Sequence, residues 1–285
     1  MQINAGRIAA GTFALLLVVA AAACSQLPKI GAGGLLHPGR RTTIVKTPSV
    51  CQDAEFAGAG VTLRGWRCGT KAPSRGTIVY LHGIADNRNS ATGVIDRFTA
   101  RGFQVIAYDS RAHGQSGGDA CTYGVFEQRD LQKVIDAVGG GRVVLIGTSL
   151  GAAVALQAAA EDPRIAAVIA AETFSDLRTV ARERAPFVFT RGSIDRAFKL
   201  AEQEGGFSVD AASPLAAAPR ITSPVLLIHG AADSKTPPSH SQRVFDALTG
   251  PKRLILVPGA GHNQSLQSGI WTEIDRWVER HSPDR

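Results

Sequence analysis

Ser149 stands in Gly147-Thr148-Ser149-Leu150-Gly151, directly after the apolar run Val143–Ile146 and directly before an alanine-rich stretch, Ala152–Glu161. A strand that breaks into a helix at a G-x-S-x-G turn holds its serine in a strained backbone conformation, with the hydroxyl projecting at the strand's end. The flanking glycines must be small because strand and helix crowd together there. The Leu150 N–H opens the helix and can face an oxyanion. Gly114-Gln115-Ser116-Gly117-Gly118 fits the same pattern. No strand leads directly into it and Gly-Asp-Ala follows where a helix should start, so it reads as a glycine-rich loop.

A serine hydroxyl is a poor nucleophile at neutral pH; it needs a base within hydrogen-bond reach, and that base needs an acid to orient it. After Ser149 the chain offers His229, His240, His262 and His281. His262 lies in Pro258-Gly259-Ala260-Gly261-His262-Asn263, after the run Arg253–Val257, and the glycines let this loop fold inward. His262 is the expected base. His240 is expected in a surface helix, His281 in the polar tail, and His229, beside Gly230, in a structural role. The acid should lie between serine and base. Asp233, after the run Pro224–Ile228 and its His229, is the expected acid, with Asp176 as the alternative. The second N–H of an oxyanion hole is expected from Ile84, in the His82-Gly83-Ile84 turn that follows Thr77–Leu81. His82 is expected to brace that loop.

These residues need a scaffold that brings strand ends together. Val61–Trp66 alternates apolar and polar residues, as a partly exposed strand does. Thr77–Leu81, Phe103–Tyr108, Val143–Ile146 and Ile165–Ala171 read as buried strands, and Pro224–Ile228 and Arg253–Val257 complete the set. Arg88–Arg101, Glu127–Val138 and Ile270–Val278 carry apolar residues at helical spacing. The alternation predicts an α/β fold, a mostly parallel sheet with helices on both faces. Loops at the carboxyl ends of its strands then carry Ser149, Ile84, Asp109, Asp233 and His262 to one edge. Residues 172–220 interrupt the alternation with helical stretches at Phe174–Arg184 and Ile194–Glu204, expected as a small helical cap.

The motifs LHG at 81–83, DSRAHGQSGG at 109–118, CTYG at 121–124, GTSLG at 147–151, HGAADSKTP at 229–237 and GAGH at 259–262 together resemble the α/β-hydrolase superfamily. The serine-aminopeptidase-like and depalmitoylase- or lysophospholipase-like branch is the most similar. The resemblance implies Ser149, Asp233 and His262 as a triad, with Asp109, Arg111 and His113 shaping a structural loop beside it. Ala112 departs from the pattern, which has glycine there.

Residues 8–28 carry no charge, Arg7 precedes them, and Leu15–Ala23 is wholly apolar. That is a secretory signal pattern. Ala21-Ala22-Ala23-Cys24 also resembles a bacterial lipobox, in which Cys24 becomes the lipidated first residue; Ala21 stands where leucine is usual. A soluble exported protein and a retained membrane helix are the alternatives. The division expected is a signal peptide at 1–23, a tether at 24–40 and a hydrolase domain at 41–285. Export permits a disulfide. Cys51–Cys68 is the local pairing, its loop contributing on the order of 3 kcal/mol in the chain-entropy model; Cys51, Cys68 and Cys121 as free thiols is the alternative. No Cys or His cluster has metal-ligand spacing.

The 285-residue chain has a formal charge of +7, with no run of five like charges, so nucleic acid is not indicated as a partner. The expected function is an exported, cofactor-free serine hydrolase acting on a small-molecule or lipid ester or thioester, held at a bacterial membrane through Cys24. An acyltransferase, a peptidase and a non-catalytic binding protein are the alternatives.

Overall fold

The structure is a computed structural model that describes residues 25–69, 74–139 and 141–282. Cys24 and the expected signal segment 1–23 lie outside the described residues. In chain order the elements begin with helix α1 (25–36), strands β1 (Cys51–Ala57), β2 (Thr62–Cys68) and β3 (Thr77–Leu81), helix α2 (Thr92–Thr99), β4 (Gln104–Tyr108), α3 (Glu127–Ala137), β5 (Val143–Thr148) and α4 (Leu150–Ala159). They continue with β6 (Ile165–Ala171), α5 (Leu177–Arg184), α6 (Arg191–Gly205), α7 (Pro214–Ala217), β7 (Val225–Gly230), α8 (Ser239–Ala247), β8 (Lys252–Val257) and α9 (Ser268–His281).

The strands form one sheet in the order β1-β2-β4-β3-β5-β6-β7-β8. β2 runs antiparallel to β1 and β4, and the pairs from β4 through β8 are parallel. Side-chain alternation along each strand divides the core into two layers. Val79, Leu81, Ile106 and Leu145 pack with Leu131, Val134 and Ile135 of α3 and with α4. Ile78, Tyr80, Val105 and Ile146 face the other way, onto Val94, Ile95 and Phe98 of α2 and Ile274 and Val278 of α9. Both faces of the central strands are covered, which is why those strands read as unbroken apolar runs.

The amino-terminal stretch differs from the tether that its Gly, Pro and Ser content suggested. Residues 25–36 are helical, and Pro28, Ala32 and Leu36 are buried. That spacing places one stripe toward the body of the protein. Gly31 lets the helix lie close to α6: a Cβ there would come within 2.9 Å of Ala197 Cβ. Cysteines 51 and 68 are register partners on β1 and β2 and form a disulfide, leaving Cys121 as a buried thiol. Strand β1 was not legible as a strand. It is an edge strand in which only Phe56 is buried, so it carries no alternation.

Candidate active site

Ser149 is the residue between β5 and α4. Its φ of 51° and ψ of −111° lie in a region that side chains rarely occupy. Such a conformation costs on the order of 1–3 kcal/mol and persists only where the surroundings impose it. Here they do: a Cβ on Gly147 would overlap the Gly151 carbonyl, and one on Gly151 would overlap the carbonyl of Leu81. The Leu150 N–H is in the first turn of α4, among the amides that a helix leaves without an internal acceptor. The His82–Ile84 turn abuts the serine, since a Cβ on Gly83 would stand 3.6 Å from Ser149 Cβ. Ile84 lines the same cavity as Ser149 and Leu150.

The His262 loop after β8 and the Asp233 loop after β7 meet this turn. His262 Nε2 lies 3.1 Å from Ser149 Oγ, and His262 Nδ1 lies 2.7 Å from Asp233 Oδ2. The carboxylate accepts the proton on Nδ1, which leaves the lone pair on Nε2 directed at the hydroxyl. Asp233 is fixed in turn. Its Oδ1 accepts the N–H groups of Lys235 and Thr236, each at 2.9 Å. Burial alone would raise the Asp233 carboxyl, but the Thr236 amide, His262 and the Lys235 amide outweigh it and hold the group below the ordinary carboxylate range. This arrangement can move the Ser149 proton onto His262 and stabilise the resulting imidazolium.

The remaining candidates fall elsewhere. Asp176 caps α5, accepting the Thr179 N–H at 2.7 Å. His229 is buried and bridges Ser241 Oγ and the Thr236 carbonyl beneath the Asp233 loop. His240 was expected in a surface helix, but its side chain is not at the surface. It is fully buried, with Nε2 2.7 Å from Glu183 and Nδ1 accepting the Ser175 N–H at 3.0 Å. Its helix packs against the body of the protein, and a histidine on the inward face is buried whatever its polarity. His281 ends α9 with its ring against Trp277.

His82 accepts the Ser110 N–H at Nε2, 2.9 Å away, and its Nδ1 bonds the Gly83 carbonyl, so it ties the Ile84 turn to the loop after β4. That loop is held by Asp109 paired with Arg88 at 2.6 Å and by Arg111 paired with Asp130. Ala112 takes a φ of 59° there, the left-handed conformation that glycine adopts at no steric cost.

Glu172 was not singled out from the sequence. It follows β6 directly, is buried, and has a φ of 57°. Its carboxylate accepts the N–H groups of Asn263, Gln264 at 3.0 Å and Ser265 at 2.9 Å. It therefore grips the chain immediately after His262. An acidic residue ending an otherwise wholly buried strand is the one signal that marked it.

Beside Ser149 opens a cavity of about 430 Å³. Its walls are almost entirely apolar: Leu35 of α1, Leu177 and Val180 of α5, Ile194 and Phe198 of α6, and Phe174. Arg184 is its charged margin, and its guanidinium bonds the Lys235 carbonyl at 2.8 Å and Thr236 Oγ1, so the cavity wall and the Asp233 loop are joined. Among the described residues no group of His, Cys, Asp and Glu is arranged to hold a metal ion.

Residues 76–212 match the alpha/beta hydrolase fold family, and residues 206–280 match the TAP-like protein family. The uncharacterised protein YfhR of Escherichia coli (strain K12) is 31% identical over 248 residues, covering 82% of this chain and 77% of that one. YqkD of Bacillus subtilis (strain 168), also uncharacterised, is 32% identical over 202 residues, 66% of this chain and 65% of its own. Among solved structures, the Pyrococcus furiosus esterase Pf2001 superposes with a TM-score of 0.70 at 25% identity, covering 86% of this chain and 99% of its own. Acetyl xylan esterase 1 of Thermoanaerobacterium sp. JW/SL YS485 shares the fold, with a TM-score of 0.66 at 19% identity over 91% of this chain and 94% of its own. With the family match, the relatives' coverage and the sheet order in agreement, the chain belongs to the α/β-hydrolase fold family.

Proposed function

We propose that this chain is a serine hydrolase that cleaves a carboxylic ester or thioester through an acyl-enzyme. The observation that carries the reading is the alignment of Ser149 Oγ, His262 and Asp233 at 3.1 and 2.7 Å beside an apolar cavity. Ser149 Oγ attacks the acyl carbon as its proton passes to His262 Nε2. Asp233 keeps the imidazole in the required tautomer and stabilises its cation. The N–H groups of Leu150 and Ile84 hold the tetrahedral oxyanion. Collapse expels the alcohol or thiol, which takes the proton from His262. Water, deprotonated by the same histidine, then releases the acid and restores Ser149. The steps balance with water as the one co-substrate.

The apolar walls suit an aliphatic acyl group, and the helices between β6 and β7 act as the cap that selects it. The Pyrococcus furiosus esterase among the structural relatives adds support for ester chemistry. The uncharged amino-terminal stretch and the lipobox-like Ala21-Ala22-Ala23-Cys24 support export and attachment to a bacterial membrane through lipidated Cys24.

A fluorophosphonate probe tests the nucleophile. The unaltered chain should label and Ser149→Ala should not; labelling that persists in the variant rejects Ser149. Profiling p-nitrophenyl esters and matched thioesters by acyl length then fixes the substrate class. No turnover on any of them, together with no labelling, would favour a non-catalytic binding protein. Metabolic labelling with an alkyne fatty acid tests attachment, which Cys24→Ser should abolish.

A further inference from the structure

Large apolar side chains are left exposed at few places among the described residues, and three of them lie on the segments that line the cavity. Phe187 is 99% exposed, Ile30 61% and Val188 48%. Phe187 and Val188 occupy the turn between α5 and α6, between Pro186 and Phe189, which both line the cavity. Ile30 lines it from α1. A fully exposed phenylalanine gains nothing for folding, and a gathered apolar rim around a pocket marks a surface that meets something.

We propose that this rim inserts into a lipid surface, so that the cavity opens onto the bilayer and takes the acyl chain of a membrane lipid without passing it through water. Two further observations favour lipid as the occupant. The rim is flanked by exposed basic residues, Lys29 beside Ile30 and Arg191 shortly after Phe189, and neither has an ion-pair partner among the described residues. A large apolar tip with cations around it fits the boundary between the acyl chains and the anionic headgroups. The second observation is the position of the chain's apolar end. Leu15–Ala23 is separated from α1 by Cys24 alone. At the rise of an α-helix, Ile30 is about 8 Å along the axis from residue 25, so any attachment of residues up to 24 to a membrane holds the rim beside that membrane. A single lipid chain gives marginal binding, and a second contact of this kind makes it stable.

The direct test places a reporter on the rim of the full chain. In Phe187→Trp, with the unaltered chain's fluorescence subtracted, vesicles of phosphatidylcholine and phosphatidylglycerol should shift the added emission to the blue, and brominated acyl chains should quench it. Emission that stays water-like on bound vesicles overturns the proposal. So does emission already blue before vesicles are added: dependence on protein concentration would then identify a second copy as the occupant, and independence the chain's own amino-terminal segment. The functional arm rests on the hydrolase reading above. Phe187→Ser with Val188→Ser should lower hydrolysis of a vesicle-embedded ester by at least about tenfold, the factor for even one of the two large side chains no longer buried, and leave soluble p-nitrophenyl butyrate turnover unchanged. An equal loss on both substrates counts against the rim. If the unaltered chain hydrolyses neither substrate, the hydrolase reading fails while the quenching result still decides the docking.

Discussion

Two regions of the molecule bring a serine, a histidine and a carboxylate into line. One is Ser149, His262 and Asp233. The other is Ser175, His240 and Glu183, where His240 Nδ1 lies 2.9 Å from Ser175 Oγ and His240 Nε2 lies 2.7 Å from Glu183 Oε2. The separations are nearly the same and the chemistry is not. The Ser175 hydroxyl already donates to Asp176 Oδ2 at 2.8 Å and accepts from Arg243 at 3.1 Å. His240 Nδ1 already accepts from the Ser175 N–H and from Arg243. Both side chains are fully buried, away from the cavity, and burial lowers the His240 pKa. Ser149 by contrast stands on a strained turn beside the cavity, next to the first amides of a helix. A base needs a lone pair not already engaged, and a nucleophile needs room for an electrophile in front of it.

The largest expected difference is at the serines. Ser149→Ala should lower kcat for p-nitrophenyl butyrate by a factor on the order of 10⁵. Ser175→Ala should leave it within about threefold, because no transition-state contact is lost, and should instead lower the melting temperature. Comparable kcat losses in the two variants would break the distinction. The acids come next. Asp233→Asn should reduce kcat by about 10⁴ through the wrong imidazole tautomer. Glu183→Gln keeps an acceptor for His240 Nε2 and should change kcat by less than about threefold.

Buried histidines that do no proton transfer should be visible in stability rather than rate. Burial, and then the nearby His82, pull His113 down to about 4. The unfolded chain takes up this proton from about pH 6.5 downward, whereas the folded chain resists it until about pH 4. Stability should therefore fall across that window as pH drops, by roughly 3 kcal/mol from this group. Melting curves between pH 7 and 4.5 should show the loss, with a shallower slope in His113→Gln. An unchanged slope would remove His113 as its source.

Glu172→Gln should lower kcat about tenfold with KM little changed, because three loop amides lose their shared carboxylate and His262 loses its fixed position. Rates taken per fluorophosphonate-labelled site separate this from partial unfolding, which lowers the site count and not the rate per site. The smallest effect is at Ala112. Ala112→Gly relieves a left-handed alanine and should stabilise the fold by about 1 kcal/mol without altering kcat. A loss of stability there would mean that the loop tolerates its alanine without strain.

Much of the sheet was legible in order. Thr77–Leu81 and Ile165–Ala171 span the same residues in sequence and structure, because a strand buried on both faces writes itself as a continuous apolar run. The turn at Ser149 was legible because its glycines answer to contacts within one strand–helix unit. Edge strand β1 and the docking of α1 were not, since the first has little to bury and the second depends on Ala197 far along the chain. Nor was Glu172, whose partners are roughly ninety residues away.

Local pattern, set by what neighbouring residues must bury or bend, determined the strands, the serine turn and the small set of histidines and acids to choose among. Which histidine kept a free lone pair, which serine faced open space and which carboxylate gripped a loop rather than a side chain were decided only when the strand ends met. Hydrogen-bond satisfaction and exposure belong to groups from distant segments together, and no stretch of sequence contains them.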